Sequence, residues 1–284
     1  MRSDLYKDCT LCPRKCHADR TNGKLGYCAA SSDVVVAAYM SHKFEEPPIS
    51  GSSGSGTIFF SFCTARCVYC QNLLFSRGKR GNVVSTQRLA EIMLELQEKR
   101  CHNINLVTPT HYVPSILDAL DVARGNGLSL PVLYNTSGYE TLETLDMLNG
   151  YIDIYMPDAK YSDDELAESH CGFINYTDAN LKALDKMFKQ VGNLKINDIG
   201  LAEKGLMIRH LVLPGYPDNT IGMLNNISKT VGLTVHISLM NQYSPIQQVS
   251  KDPKLRKRLS KKEYKTAKDK LFELGFENGW MQDA

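Results

Sequence analysis

The sequence has little net charge and no long run of apolar residues. Its 33 Lys and Arg side chains nearly balance 31 Asp and Glu side chains, and the formal net charge is +2. Such a balance gives no general attraction for nucleic acid or for an anionic membrane, and we expect neither as a partner. No apolar run approaches the length of a membrane-spanning helix, and the first residues, MRSDLYKD, lack the apolar stretch of a secretory signal. We therefore expect a cytoplasmic protein.

The sequence also lacks the composition of a disordered chain. Of its 284 residues, 43% are apolar and 23% are charged, which is typical of one large globular domain or two ordinary ones. Cysteine is abundant: there are 9, most of them in two clusters. In a reducing compartment, clustered cysteines indicate metal sites rather than disulfides. Cys101 and Cys171 lie outside the clusters, and we expect both to be small buried apolar residues.

Cys63, Cys67 and Cys70 form the more informative cluster, with C-x3-C-x2-C spacing. Three thiolates in one loop suit a soft multi-iron cofactor better than a hard cation. A [4Fe-4S] cube has four irons, so three cysteines leave one iron open, and an open position is typical of catalytic metal centres. Two other interpretations stay open: zinc completed by a distant histidine, or a redox pair formed by the C-x2-C part.

A second cluster, which we name the N-terminal cysteine set, consists of Cys9, Cys12, Cys16 and Cys28. Four soft ligands satisfy a closed tetrahedral zinc site, and they equally satisfy an auxiliary iron-sulfur cluster. A group of unligated thiols is the third interpretation. The sequence does not choose among them.

Downstream, strand-like apolar runs alternate with helical patterns. Strands are predicted at residues 57–62, 103–108, 131–135, 153–156, 206–213 and 234–240, and helices at 89–97, 113–123, 141–148, 179–191, 221–231 and 262–274. About six βα units of this kind give an α/β fold, either a barrel or an open doubly wound sheet. A further strand is predicted at 33–40. The Gly- and Ser-rich residues 50–56 are either a flexible linker or a loop whose backbone lies close to a cofactor.

Polar residues follow several of the predicted strands. In barrels and in doubly wound sheets alike, active sites lie at the carboxyl ends of the strands. The polar residues are Thr108, Asn135, Ser137, Asp158 and Lys160. Arg209 differs because it lies within its strand. We expect it to point into a polar interior, since a buried charge needs polar partners.

Several segments together carry a family resemblance. The segments CTARCVYCQN at 63–72, DAK at 158–160 and RHLVLPG at 209–215 resemble the radical S-adenosylmethionine (SAM) enzymes related to pyruvate formate-lyase activating enzyme. A poorly characterised branch of that group is indicated by the N-terminal cysteine set and by EEP at 45–47, TPTH at 108–111, NTSGY at 135–139 and SLMNQY at 238–243. The resemblance extends over essentially the whole chain.

The resemblance implies a partial (β/α)6 TIM-like barrel at residues 51–284, preceded by a small cysteine-rich segment at 1–50. Cys63, Cys67 and Cys70 would ligate a [4Fe-4S] cluster whose open iron binds SAM. The loop around Tyr69 would lie near the adenine. Asn135 and Ser137 would lie near SAM.

The family's Asp-x-Lys motif corresponds to Asp158 and Lys160, which would lie beside SAM and the substrate. Arg209 would lie near the SAM ribose or carboxylate. An internal ion network among these three side chains is the alternative. The Gly-Gly-Glu motif that holds the SAM amino group in many members is replaced here by TPTH, and Thr108 is the expected substitute. His111 in that segment is either a proton donor or a histidine that bonds a loop carbonyl.

The implied activity is reductive cleavage of SAM to a 5′-deoxyadenosyl radical that abstracts hydrogen from a substrate. The substrate is expected to be a glycine of a glycyl radical enzyme, with a small molecule or another peptide as the alternative. A non-catalytic iron-sulfur electron-transfer protein is the rival of another class. The reductant is expected to be a flavodoxin or ferredoxin. It would dock on the Lys- and Arg-rich residues 251–270, unless these form only a solvated helix face.

Overall fold

The computed structural model describes residues 2–77, 80–246 and 251–282. Its strands are β1 Val34–His42, β2 Ser55–Phe60, β3 Asn82–Val84, β4 Ile104–Val107, β5 Val132–Thr136, β6 Ile154–Pro157, β7 Lys195–Ile196, β8 Ala202–Leu211, β9 His236–Met240 and β10 Gly279–Met281. Its helices are α1 Pro47–Ser50, α2 Leu73–Ser76, α3 Thr86–Glu98, α4 Val113–Gly125, α5 Leu142–Leu148, α6 Asp164–Cys171, α7 Tyr176–Val191, α8 Pro217–Val231 and α9 Lys261–Leu274. Short 3-10 turns lie at Arg2–Tyr6, Arg20–Asn22, Thr110–Tyr112 and Lys254–Arg256.

One mostly parallel sheet organises these elements. Its strand order is β10-β9-β8-β6-β5-β4-β2-β1-β3, and β7 pairs with β8 beside this path. Strands β2, β4, β5, β6, β8, β9 and β10 are parallel to one another, whereas β1 pairs antiparallel with both β2 and β3 at one edge. Among the described residues the sheet does not close. The predicted α/β fold with a partial TIM-like barrel is confirmed.

The helices cover one face of the sheet because their apolar positions recur at helical spacing. In α3, Leu89, Ile92, Met93 and Leu96 recur at helical spacing and are buried. The Ser85 side chain caps this helix by accepting from the Arg88 backbone N–H. The largest core cluster lies between the sheet and helices α3, α4, α5, α7, α8 and α9. On the other face, Leu133, Ile154, Met156 and Met207 form a smaller cluster beneath the cavity described below.

Some parts of the fold differ from the sequence prediction. Strand β8 begins at Ala202 rather than residue 206 because it extends into an antiparallel pairing with β7. Helix α6 was not predicted; it is capped by the Asp163 side chain and ends at Gly172 in the left-handed conformation.

The Gly- and Ser-rich residues 50–56 are neither a linker nor a cofactor loop, so both interpretations were wrong. They make a tight turn at the amino end of β2, opposite the end that carries Cys63. Gly56 donates from its backbone to Asn103 at 2.9 Å. A Cβ on Gly56 would lie 2.6 Å from the Asn103 carbonyl oxygen, so the close packing requires glycine. Strand β1, before this turn, pairs with β2, after it.

In the described ranges, no helix combines the length and the apolar character needed to cross a membrane.

Candidate functional site

A cavity of about 630 Å³ lies at the carboxyl ends of the parallel strands. Its lining includes all the site residues predicted outside the N-terminal cysteine set: Cys63, Cys67, Tyr69, Cys70, Thr108, Asn135, Ser137, Asp158, Lys160 and Arg209. They come from the ends of five strands and the loops that follow them, which meet here because the strands are parallel. Their individual roles stay predictions.

The cysteine loop is held in place by helix α6. The backbone N–H of Arg66 donates to the Cys171 carbonyl at 2.8 Å, and that of Val68 donates to the His170 carbonyl at 2.8 Å. Phe62, just before the loop, has a φ of 70°, which turns the chain sharply after β2. The loop geometry thus depends on an element that the sequence analysis missed.

The three thiols of this loop face the cavity, and Cys63 and Cys67 are costly to ionise without a bound cation. Burial raises the pKa of Cys63 to about 12. A hydrogen bond with Cys171, together with burial, raises the pKa of Cys67. Metal ligation supplies the positive charge that makes such thiols thiolates.

The donor set fits a [4Fe-4S] cluster. Three soft thiols in one short loop border a cavity with room for a further ligand. In the ranges that the structure describes, no three His, Cys, Asp or Glu side chains are already arranged around one ion. Each of the three cysteines would bond a different iron of a cube, so they do not need to converge on a single point.

Asp158 and Lys160 form one ion pair at the end of β6, with Nζ and Oδ2 2.6 Å apart. Burial opposes the charged form of Lys160, but the Asp158 carboxylate together with Cys67 and Cys171 outweighs it and holds the pKa of Lys160 above its ordinary value. The Asp158 carbonyl accepts from Tyr176 and Asn180, which fixes the strand end. A charged ammonium and a carboxylate are therefore presented to the cavity together.

Arg209 points into the cavity, as predicted, but pairs with Glu45 and Glu46 rather than with Asp158. Its Nε donates to Glu46 Oε1 at 2.8 Å, and its Nη2 donates to both glutamates. Asn105 donates to Glu45 at 3.0 Å. Burial opposes the charge on Arg209, yet the two carboxylates raise its pKa.

The two glutamates were not predicted as site residues, although their EEP segment is part of the family resemblance. The sequence signal that could have indicated them is the pair of adjacent acidic residues directly before two prolines. The alternative interpretation, one ion network of Asp158, Lys160 and Arg209, does not hold: Lys160 pairs with Asp158, and Arg209 pairs separately with the two glutamates.

Two further predicted residues have unusual surroundings. Thr108 has a φ of 54° and donates from Oγ1 to the Val107 carbonyl at 2.8 Å, so its backbone is strained where β4 enters the cavity. Tyr69 is buried, and its hydroxyl lies 2.6 Å from that of Tyr161. Cys171 lies 3.6 Å from the Tyr69 hydroxyl. Cys101 and Cys171 are both buried, as expected.

His111 does not line this cavity. Its Nε2 lies 2.8 Å from the Ser61 carbonyl oxygen, and burial together with Arg20 lowers the pKa of His111 to about 3. A neutral ring must donate from Nε2 to that carbonyl. The structure therefore favours the carbonyl-bonded histidine over the proton donor.

The N-terminal cysteine set lines a separate cavity of about 10 Å³, together with Leu11, Arg14, Tyr27, Thr64 and His111. Burial raises the pKa of Cys12 to about 12 and also raises that of Cys28. Cys63 and Thr64 are neighbours in the chain, yet Cys63 lines the large cavity and Thr64 lines the small one. The two cavities therefore share the wall formed by the start of the cysteine loop.

A sequence profile described as the Radical SAM superfamily matches residues 57–225, which is more than half of the chain. The uncharacterized protein MJ0674 of Methanocaldococcus jannaschii is 28% identical over 273 residues, covering 93% of this chain and 74% of that protein.

Two solved structures share the fold at low identity. SuiB of Streptococcus suis, bound to S-adenosylmethionine, matches with a TM-score of 0.55 and 13% identity, covering 78% of this chain and 48% of SuiB. A radical SAM methyltransferase from Sphaerobacter thermophilus matches with a TM-score of 0.54 and 12% identity, covering 80% of this chain and 65% of the methyltransferase. The chain thus spans about half the length of SuiB.

Proposed function

Since the chain belongs to the radical SAM superfamily, we propose that the large cavity holds a [4Fe-4S] cluster on Cys63, Cys67 and Cys70 with SAM on the open iron. Membership makes the chain a radical SAM enzyme and implies both cofactors. The observation that carries the assignment to these residues is their convergence: the three cysteines and the polar strand ends line one cavity. When bound, the cluster and SAM supply a 5′-deoxyadenosyl radical that removes a hydrogen atom from the substrate.

The chain's own residues hold and orient the reactants. Lys160 and Asp158 offer a cation and an anion to the polar groups of SAM or substrate. Asn135 and Ser137 offer uncharged donors and acceptors beside them. Arg209 acts through Glu45 and Glu46, because its guanidinium is already bonded to them, so the carboxylate pair rather than the arginine faces a ligand. The strained turn at Thr108 is proposed to contact the SAM amino group, and Tyr69 to border the adenine.

We propose that the substrate is a peptide segment, with a glycine of a glycyl radical enzyme as the first candidate. The cavity wall includes Phe44, which is 89% exposed, and Met281, which is 40% exposed. An apolar rim at the mouth of a charged cavity suits a peptide backbone with apolar flanks better than a small polar molecule. A structure of SuiB contains its precursor peptide SuiA, at a TM-score of 0.52 and 14% identity. Modification of another peptide or of a small molecule is the alternative.

We propose that a flavodoxin or ferredoxin delivers the electron at the basic surface around α9. Lys257 and Arg258, before the helix, are exposed, as are Lys261 and Lys262 in its first turn. Complementary charge would speed encounter with an acidic reductant. We also propose that the N-terminal cysteine set holds a second metal centre, either zinc or an iron-sulfur cluster.

The function is tested by anaerobic reconstitution, reduction with dithionite and incubation with SAM. The parent protein should release 5′-deoxyadenosine, and Cys67→Ser should not. Cys101→Ala is the matched control, because Cys101 is buried outside the cavity and should retain the activity. Absence of 5′-deoxyadenosine from a parent protein with a full iron content would instead favour a non-catalytic electron-transfer protein.

A further inference from the structure

Arg20 is the largest fully buried side chain of the described residues, with 1% of its surface exposed. Arginine is rarely buried without a charged partner, because removing a guanidinium from water is costly. Arg20 therefore needs a compensating negative charge.

The partners of Arg20 include no carboxylate in the part of the chain that the structure describes. It donates to the carbonyl oxygens of Ala30 at 3.1 Å, Ser31 at 2.6 Å and His111 at 2.7 Å. Its Nη1 also lies 3.7 Å from Cys9 Sγ. Arg20 also lies over the rings of Tyr6 and Tyr112, with 4.5 Å and 5.8 Å from its Cζ to the ring centroids. Carbonyl dipoles and ring faces solvate the cation without neutralising it, so Cys9 and its neighbours are the remaining source of net negative charge among the described residues.

Thiolates bound to a metal have the required sign. Four thiolates leave two excess negative charges on Zn²⁺, and two on an oxidised [4Fe-4S] cluster as well. Arg20 and Arg14 supply two positive charges. Arg14 lines the same cavity, and its Nε is buried without a partner among the described residues. The charges of the four cysteines, the metal centre and the two arginines then cancel.

We propose that the N-terminal cysteine set binds an anionic four-thiolate metal centre whose counter-charge is the buried Arg20. This inference deepens the second metal site of the proposed function and adds residues that no cysteine spacing indicates. Zinc and an iron-sulfur cluster share this chemistry, but the described thiols do not surround one point, so a single zinc ion would have to draw them together.

Arg20 also connects this centre to the large cavity. It donates to the His111 carbonyl, and His111 donates from Nε2 to the Ser61 carbonyl, two residues before Cys63. Thr64 borders the N-terminal cavity directly. Metal bound at the N-terminal cysteine set would therefore stabilise the end of β2, which positions Cys63.

The site is tested in the full chain with Cys63, Cys67 and Cys70 replaced by Ser, so that bound metal belongs to the N-terminal set. One arm supplies Zn²⁺ alone, and the other supplies iron and sulfide. We expect stoichiometric binding in one arm, and its loss when Cys12 and Cys28 are also replaced by Ser. No binding in either arm overturns the site. The proposed function is tested separately. It fails if the unmodified chain forms no 5′-deoxyadenosine.

The counter-charge is tested by Arg20→Gln and Arg20→Lys in the same background. Competition with a chromophoric chelator should show about tenfold weaker metal binding in Arg20→Gln, which loses the charge, and a smaller loss in Arg20→Lys. Arg124→Gln is the control, because exposed Arg124 also donates to two backbone carbonyls. Equal affinity of the parent and Arg20→Gln overturns the role of Arg20.

Two outcomes complete the test. If neither Arg20 variant folds, the metal is removed by chelation from the protein with Ser at positions 63, 67 and 70. The melting temperature of that protein should fall, because Arg20 loses its negatively charged partner. An unchanged melting temperature overturns the proposal. If Cys16→Ser keeps the metal and His111→Ala loses it, His111 takes the fourth position. That result overturns the four-thiolate assignment.

Discussion

Arg209 Nε donates to Glu46 Oε1 at 2.8 Å within the wall of the large cavity. Both side chains are largely buried, and Glu46 keeps a pKa below its ordinary value because Arg209 outweighs the opposing effect of burial. The pair therefore stays ionised near neutral pH. It fixes the amino end of α1, where Glu46 is the N-cap residue, against β8.

Glu46→Gln should lower the free energy of unfolding by about 3 kcal/mol, because it leaves Arg209 buried with an incomplete set of partners. Urea denaturation measures the change. The control is Glu91→Gln, which removes a partner of Arg88 at the surface and should cost about 1 kcal/mol or less. Equal losses in the two variants would contradict a buried ion pair at Arg209.

Lys160→Met should slow 5′-deoxyadenosine formation about tenfold or more, since it removes a charged hydrogen-bond donor from the cavity. A single-turnover assay on reduced, cluster-loaded protein measures the rate. Lys182→Met is the control, because Lys182 pairs with Asp178 on the exposed face of α7. If both variants react at the parent rate, Lys160 has no role in positioning SAM.

Glu140 should make stability fall as pH rises towards neutrality. Burial raises the pKa of Glu140 from 4.5 to about 7, although Thr110, Thr136 and Tyr134 donate to its carboxylate. Between these two values the folded chain holds a proton that the unfolded chain has lost, so stability decreases with pH and then levels off above about 7.

Glu140→Gln cannot titrate, so its stability relative to the parent should improve by up to about 3 kcal/mol across that pH window. Urea unfolding at a series of pH values measures the slope. Glu98→Gln, an exposed position on α3, should show a flat difference. A flat difference for Glu140→Gln as well would show that this carboxyl titrates normally.

Neutralising Lys257 and Arg258 together, with Gln at both positions, should slow reduction by flavodoxin at low salt and not at high salt. Long-range attraction is screened within about 8 Å at physiological ionic strength, so the difference should vanish as salt increases. Stopped-flow bleaching of the cluster absorbance measures the rate. Reduction by dithionite serves as the control and should be unchanged; equally fast reduction by flavodoxin at low salt would exclude docking here.

The alternating strands and helices could be predicted because the spacing of apolar residues within each element shows whether it is a strand or a helix. The apolar spacing of α3 and the buried run of β4 are local patterns that need no knowledge of the rest of the chain. The placement of Thr108 and Asp158 in one cavity followed from parallel strands alone. Helix α6 was missed because eight residues with only a few apolar positions give a weak pattern.

The pairing of charges could not be predicted. Glu46 and Arg209 are separated by 163 positions, and no local pattern indicates which of several acids an arginine meets. Arg20 gave no sign of burial either, since its partners are mostly backbone carbonyls. Polar networks depend on distances across the folded chain, whereas apolar periodicity does not.

Cys63, Cys67 and Cys70 are proposed to hold a cluster with an iron open to SAM. Electron paramagnetic resonance of the reduced protein tests this proposal most directly, recorded with and without SAM labelled with nitrogen-15 at its amino group. In a protein that also carries Cys12→Ser and Cys28→Ser, we expect SAM to change the spectrum and the label to couple to the cluster. An identical spectrum with and without SAM would contradict it.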